Sequence, residues 1–584
     1  MIEPMKTPSD PASVRTASLI ASSLIACGVQ KVAYCSGSRN APFAYALARL
    51  ERDGLVEVFT FAEERVAGFW AVGALQGSAE KEGVVAVITT SGTAVAELHP
   101  AIEEAKHLGL PLIIVTADRP FELRGVGANQ TTQQLGIYGP SVVAETEIPA
   151  IQDPDEPGIA RAIIGRVRRL TARASGHGGL PGPVHLNVAL RDPLVPALGD
   201  NLSGASEEIP SLPQLGPSLN HTAEISWSQV VDPSLRTLLV AGDGPGQHDQ
   251  SHMRKIAEYA DHLGIPILAE PSSGLCDLPS WLPHGPLVAE RLSQQLLAGK
   301  HEAPEQVIVL GRPTLSREVI ELLSLMGTPD TAKIVVSASD QWQDPSGTAT
   351  AVVPDLLPDE QPLDDGLAES RSIWLQQCRQ IAAEMEMIVR ERSRGLNHLG
   401  VARMIWRHSR ETNLWLAASN VVRSFDLGAS APGLQRVYSN RGLAGIDGTT
   451  SAALGLAAQT EEPVRVVLGD LSFVYDLAAL AARPGGEPDV QILVFDDGGG
   501  SIFHSLEHGG STDAETYQKY FGIRQEVDIV QVAAACGWRA RSAESIEELR
   551  DAVMAPIRGR SLVRIPLGFP TEQFREVRRA AAES

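Results

Sequence analysis

Cysteine is scarce: Cys27, Cys35, Cys276, Cys378 and Cys536 lie far apart in 584 residues, with no Cys-x-x-Cys pair. That spacing indicates neither a zinc site nor a disulfide framework and predicts reduced, mostly buried thiols. No apolar run exceeds strand length, so no membrane-spanning or membrane-inserted segment is expected. The opening residues, Met-Ile-Glu-Pro-Met-Lys-Thr-Pro-Ser-Asp, lack the apolar core of a secretory leader, which predicts a cytoplasmic protein. Basic residues are also short, 49 Lys+Arg against 71 Asp+Glu, and the net charge of -22 disfavours nucleic acid and anionic membrane as partners. A small anionic substrate needs only a few local arginines, and several stand inside glycine-rich turns. Aromatics make up only 5% of the chain, whereas 43% is apolar and falls into strand-length runs separated by helical stretches. This is the pattern of an α/β protein.

The length exceeds one hydrophobic core and predicts about three or four domains. β-like runs at 31–35, 56–61, 84–90, 111–117 and 183–189 form a first series. A polar, proline-punctuated segment after residue 198 reads as a linker. A second series follows at 236–241, 265–269, 306–310 and 333–337, then an acidic, proline-rich stretch from Asp355 to Asp365 that reads as a second linker. The third series has runs at 413–417, 464–468, 490–495 and 561–565. Gly242-Asp243-Gly244-Pro245-Gly246 in the middle block lacks the third glycine of a dinucleotide fingerprint, and its proline removes an amide. It reads as an ordinary strand-to-helix turn.

Chemistry concentrates in the outer blocks. Asp470 and Asp497 each follow an apolar run, with a helical stretch between them. Parallel strands joined by a crossover helix bring their carboxyl ends together, so both carboxylates can hold one hard cation. Glycines 498–500 let backbone approach a phosphate. Two solvated turn aspartates are the alternative. Glu63 and Glu64 open a largely apolar helix; either both complement the helix dipole, or one points inward with a raised pKa. Thr89-Thr90-Ser91-Gly92-Thr93 leads from a strand into a helix, as an anion site or a routine cap. Thr116-Ala117-Asp118-Arg119-Pro120, followed by Ala128-Asn129-Gln130, places charged and amide groups past another strand. His99, His107 and His504 neighbour these motifs but receive no role.

In this order, and with Ser36-Gly37-Ser38-Arg39, Tyr438-Ser439-Asn440-Arg441-Gly442, Gly445-Ile446-Asp447-Gly448 and Gly469-Asp470-Leu471-Ser472, the motifs cover nearly the whole chain. The chain resembles the thiamine-diphosphate-dependent 2-succinyl-5-enolpyruvyl-6-hydroxy-3-cyclohexene-1-carboxylate synthases of menaquinone biosynthesis. Leu471, where most of the wider superfamily has glycine, is similar to this synthase in particular.

The resemblance implies three doubly wound parallel-sheet domains of the thiamine-diphosphate enzyme type. They are a pyrimidine-binding domain over 1–196, a linker over 197–222 and a central α/β domain over 223–352. A linker and helical connection over 353–394 then leads to a diphosphate-binding domain over 395–584. It implies a homodimer or homotetramer with shared active sites, and a reaction that decarboxylates 2-oxoglutarate and adds the succinyl unit to isochorismate in a conjugate addition.

Glu64 matches the catalytic glutamate that bonds the cofactor's pyrimidine ring, and Ile446 the apolar residue supporting the bent cofactor. Asp470, Asp497 and the Gly499 carbonyl match ligands for magnesium, with manganese as the alternative. Ser91, Gly92, Gln130, Gly469, Leu471, Ser472, Gly500 and Ile502 complete the implied cofactor site. Ser38, Arg39, Arg119, Gln130, Arg317, Ser419, Arg423, Arg441, Phe503 and Leu506 match the substrate pocket, where guanidinium groups grip carboxylates through paired hydrogen bonds. The chain departs from the family at Ser36, where proline is usual, at Asp496 and Asp497, where asparagine is frequent, and at Phe495 and Gly498. Rival readings are another thiamine-diphosphate 2-oxoacid decarboxylase or acetohydroxyacid synthase, and a non-catalytic cofactor-binding relative.

Overall fold

The computed structural model describes residues 10–78, 83–196, 209–213, 225–244, 250–338, 342–359, 365–483, 485–506 and 508–584. Pro245, Gly246 and Gln247 of the middle turn lie outside the described residues. The chain divides into two compact units, residues 1–220 with 451–461 and 481–487, and the remainder. All strand pairings described are parallel.

The first unit holds β1 (Val29–Cys35), β2 (Glu57–Phe61), β3 (Val84–Thr89), β4 (Leu112–Asp118), β5 (Ala144–Ile148) and β6 (Val184–Ala189). Their order is β2-β1-β3-β4-β6-β5. Parallel sheets are covered on both faces, so inner strands are continuous apolar runs, and β3, β4 and β6 are buried at every position. Alternation assigns the faces: Val84, Ala86 and Ile88 join Ile113, Val115 and Leu186 in one core. Helices Ala12–Ala26, Ala41–Arg52 and Pro157–Ala174 cover it with Ile20, Leu47, Val167 and their neighbours. The order reverses between β1 and β3, which puts a crevice at their carboxyl ends.

The second unit holds two sheets. One comprises β7 (Thr237–Ala241), β8 (Ile267–Ala269), β9 (Gln306–Leu310), β10 (Ala332–Val336) and β11 (Ala351–Val353), ordered β11-β10-β9-β7-β8. The other comprises β12 (Asn413–Leu416), β13 (Val437–Tyr438), β14 (Val464–Gly469), β15 (Val490–Asp496), β16 (Arg539–Ser542) and β17 (Arg560–Pro566), ordered β13-β12-β14-β15-β17-β16. Leu239, Ile308 and Ile334 share a core with Leu414, Val467, Leu493 and Val563, so the two sheets are joined through one apolar layer. On the other face of the β7 sheet, Leu238, Val240 and Val307 meet helix Ala368–Arg392. That helix inserts Trp374, Cys378, Ile381, Met385 and Val389 at three- and four-residue spacing. An Ile, Met or Val side chain contributes about 1.5–3 kcal/mol when fully buried. The chain order reverses between β7 and β9 and again between β12 and β14, creating two more crevices of the same kind.

Candidate active site

The adjacent glutamates have different tasks. Glu63 is the N-cap of helix Glu64–Gln76, its carboxylate accepting from the Val66 amide at 2.7 Å and lying 3.7 Å from Arg65 Nε. Glu64 begins the helix proper and is half-buried; the Thr89 hydroxyl at the end of β3 donates to it at 3.3 Å. Burial pushes the Glu64 pKa up, its own amide and Thr89 oppose the shift, and Glu63 and Glu97 add to it. A carboxyl in this setting holds a proton more readily than an ordinary glutamate.

At the β1/β3 crevice, Gly92 has φ 84°, and a Cβ there would stand 2.7 Å from Gln130 Cγ, so glycine alone suits the turn. Gln130, itself at φ 55°, donates through Nε2 to the Ser91 carbonyl at 2.9 Å. Arg119 Nη1 donates to the Ser91 hydroxyl and, at 2.8 Å, to the Gln130 carbonyl. Arg39 Nη1 donates to the Leu190 carbonyl at 2.9 Å and to Asp192 at 3.2 Å, while its buried Nε has no acceptor among the described residues. Burial, then the neighbouring Arg39, press the Arg119 pKa down. Ser38 is exposed in the same turn. Gln134, which carried no signal in the sequence, braces this region. Its side chain joins the Gly92 amide (3.2 Å), the Ala117 carbonyl (3.2 Å) and Asn187 Oδ1 (2.9 Å).

In the second unit, β14 and β15 run in register to Gly469 and Phe495, so Asp470 leaves its strand level with Asp496 and one residue short of Asp497, and it feels the charge of both. Asp470 opens helix Asp470–Tyr475 and accepts from the Leu471 amide at 2.8 Å. Burial, then the Asp497 charge, push its pKa up to about 7, with Asp496 adding to the effect. Asp497 Oδ2 accepts from the Ser501 hydroxyl at 2.5 Å and lies 3.4 Å from His398 Nε2. Gly499 has φ 117°, and a Cβ there would stand 2.1 Å from the Gly522 carbonyl oxygen. Asp496 turns away from this pair: its Oδ2 accepts from Arg564 Nε at 2.6 Å. The extra acid of the Asp496-Asp497 doublet thus has its own cation.

Two crowded carboxylates at the mouth of a parallel sheet are the oxygen-rich donor set that a hard dication relieves. Beside them a cavity of about 150 Å³ is lined by Ser419, Ile446, Gly469, Asp470, Leu471, Ser472, Asp497, Gly499, Gly500, Ile502 and Phe503. Leu506 lies one turn beyond Phe503 and is not among the lining residues. His398 also lines it, unanticipated from the sequence because it sits alone at the start of helix His398–Arg407.

The arginines of this unit cluster too. Burial, then Arg441, lower the Arg423 pKa, and Arg317 contributes in the same direction. Arg441 is 7% exposed with its Nε lacking an acceptor among the described residues, whereas Arg317 is exposed at the start of helix Arg317–Leu325. Ser419, at φ 69°, stands at the N-cap position of the helix carrying Arg423 without a side-chain capping bond, and Arg423 Nη1 donates to the Ser419 carbonyl at 2.8 Å. Non-glycine residues held at positive φ gather at ligand clamps.

Known families agree with this layout. The thiamine pyrophosphate enzyme N-terminal TPP binding domain matches residues 14–137, and the C-terminal TPP binding domain of the same enzymes matches residues 426–565. With its three parallel-sheet layers, the chain is a thiamine-diphosphate-dependent enzyme. A 2-succinyl-5-enolpyruvyl-6-hydroxy-3-cyclohexene-1-carboxylate synthase from Kineococcus radiotolerans is 38% identical over 530 residues, 90% of each chain. Proteins of the same name from Renibacterium salmoninarum (36% over 562 residues, 95% of this chain and 94% of the relative) and Mycolicibacterium smegmatis (34% over 537 residues, 88% and 90%) are also similar. The chain belongs to the 2-succinyl-5-enolpyruvyl-6-hydroxy-3-cyclohexene-1-carboxylate synthase family.

Proposed function

We propose that this enzyme decarboxylates 2-oxoglutarate and transfers the succinyl unit to isochorismate by conjugate addition, a step of menaquinone biosynthesis. Bound thiamine diphosphate supplies the electron sink for the decarboxylation. The chain's own residues bind, orient and manage protons. Glu64, half-buried and with its pKa raised by burial, would hydrogen-bond the pyrimidine ring and so favour loss of the proton from the thiazolium carbon. Asp470, Asp497 and the Gly499 carbonyl hold a divalent cation, magnesium or manganese, that neutralises the diphosphate. Ile446 would support the bound cofactor, and Ser91, Gly92, Gln130, Gly469, Leu471, Ser472, Gly500 and Ile502 would make up the rest of its site.

Both substrates are polyanions. Arg39, Arg119, Arg317, Arg423 and Arg441 grip their carboxylates, with Ser38, Gln130, Ser419, Phe503 and Leu506 shaping the pocket. The observation that carries this assignment is the buried donor without an acceptor on Arg441, within electrostatic reach of Arg423. A buried guanidinium nitrogen left unpaired is costly unless a ligand completes it. We assign the enzyme to the cytoplasm as a homodimer or homotetramer, which sedimentation checks.

The function is tested by mass spectrometry of product formed from 2-oxoglutarate and isochorismate with thiamine diphosphate and magnesium, with pyruvate as competing donor. A succinyl adduct made only from 2-oxoglutarate is expected. Turnover of pyruvate alone would move the substrate assignment to a different 2-oxoacid enzyme.

A further inference from the structure

Behind the arginines of the second unit lies a layer of buried acids with no part in the chemistry above. Asp243, Glu270 and Asp426 are 4%, 6% and 8% exposed, and all three feel the charge of Arg441. Buried carboxylates are costly unless paired or hydrogen-bonded, so their partners show what they hold in place.

Glu270 has the most connected position. It follows β8, and its Oε1 accepts from the Leu315 amide at 2.7 Å, with the amides of Thr314 and Asp243 also directed towards the carboxyl. Leu315 belongs to the turn between β9 and helix Arg317–Leu325. That turn carries Thr314, whose hydroxyl accepts from Arg441 Nη2 at 3.2 Å, and it delivers Arg317. The same turn reaches back through Arg312, whose Nη2 and Nη1 donate to the carbonyls of Arg441 (3.0 Å) and Gly442 (3.2 Å). The Arg312 amide donates to the Asp243 carbonyl at 3.0 Å, across the crevice where the β7 sheet reverses its order. Glu270 Oε2 is buried with no hydrogen-bond partner among the described residues, and it is not among the residues lining the Asp470 cavity.

We propose that Glu270 is a positioning residue for carboxylate-substrate recognition: by holding the 312–317 turn it sets both the Thr314 hydroxyl that orients Arg441 and the helix start that presents Arg317. This rests on the assignment of Arg317 and Arg441 to the substrate pocket. Glu270 itself touches no substrate. Its action is on the direction of donors contributed by others, and guanidinium recognition of carboxylates depends strongly on that direction.

The test is steady-state kinetics on the complete holoenzyme with 2-oxoglutarate and isochorismate, preceded by wild-type turnover, which by itself decides whether the substrate assignment stands. Glu270→Ala removes the acceptor for the turn and is expected to raise KM for at least one substrate by about tenfold, with kcat within about threefold. Thiamine diphosphate affinity is expected to stay unchanged. Glu270→Gln retains an acceptor for the Leu315 amide and is expected to recover most of the loss. Thr314→Val, at an exposed position, removes the acceptor for Arg441 without disturbing the core and should shift the same KM in the same direction. Wild-type KM values in Glu270→Ala would overturn the proposal. If Glu270→Ala does not fold, Thr314→Val decides, and an unchanged KM there would overturn it equally.

Discussion

Glu64 and Asp470 occupy equivalent places in different sheets, each the first residue of a helix that follows a parallel strand, and burial raises the pKa of both. A helix N-terminus alone would favour the charged form. The difference lies in the company each keeps. The carboxylate next to Glu64 is occupied with capping the helix, and Glu64 receives one hydroxyl donor. Asp470 faces Asp497 across adjacent strand ends, with Asp496 close behind. The same local motif therefore suits two chemistries: a half-buried carboxyl whose neighbour caps the helix suits holding a proton, and a crowded pair suits holding a cation.

Replacing each acid separately is the strongest way to break that contrast. Glu64→Gln should lower turnover by about 10³-fold or more while leaving cofactor and magnesium affinity near wild type. Steady-state rates beside binding calorimetry would check both halves. Asp470→Asn should weaken magnesium-dependent cofactor binding by about 10²-fold and, because it relieves carboxylate crowding, raise the unfolding midpoint of the cofactor-free protein. A lowered midpoint in calorimetry would mean that the pair is not under electrostatic stress. Arg564→Ala strips Asp496 of its partner and should weaken cofactor binding by about fivefold, seen in the same titration. Thr89→Val is expected to have the smallest effect. Its hydroxyl favours the charged form of Glu64, so losing it should raise the Glu64 pKa further. The limb of the pH-rate profile that reports Glu64 should then move to higher pH. A limb that stays in place would separate Thr89 from Glu64.

The inner strands were legible because full burial makes them apolar runs: the reading at 306–310 coincides with β9, and 84–90 overruns β3 by one residue. The strands that escaped, β5, β11, β13 and β16, all lie at sheet edges. There one side is open, and β5 and β16 stay polar, as Ala144-Glu145-Thr146-Glu147-Ile148 and Arg539-Ala540-Arg541-Ser542, while β11 and β13 are only three and two residues long. The site was legible where backbone demands glycine or where a strand ends on a charged residue, as at Gly92, Gly499 and Asp470. Groups acting from elsewhere in the chain were not. His398 reaches Asp497 from the start of a helix about a hundred residues earlier, Arg564 reaches Asp496 from a neighbouring strand, and Glu270 acts through a turn some forty-five residues away. Only the fold brings such partners together, and none carries a local pattern.

Deuterium exchange at the thiazolium carbon of thiamine diphosphate, measured with cofactor and magnesium saturating in wild type, Glu64→Gln and Asp470→Asn, tests the division of labour most directly. Rapid exchange is expected in wild type, with loss of exchange in Glu64→Gln despite bound cofactor and recovery of exchange in Asp470→Asn once enough cofactor is supplied. Undiminished exchange in Glu64→Gln would remove Glu64 from its proton-handling role.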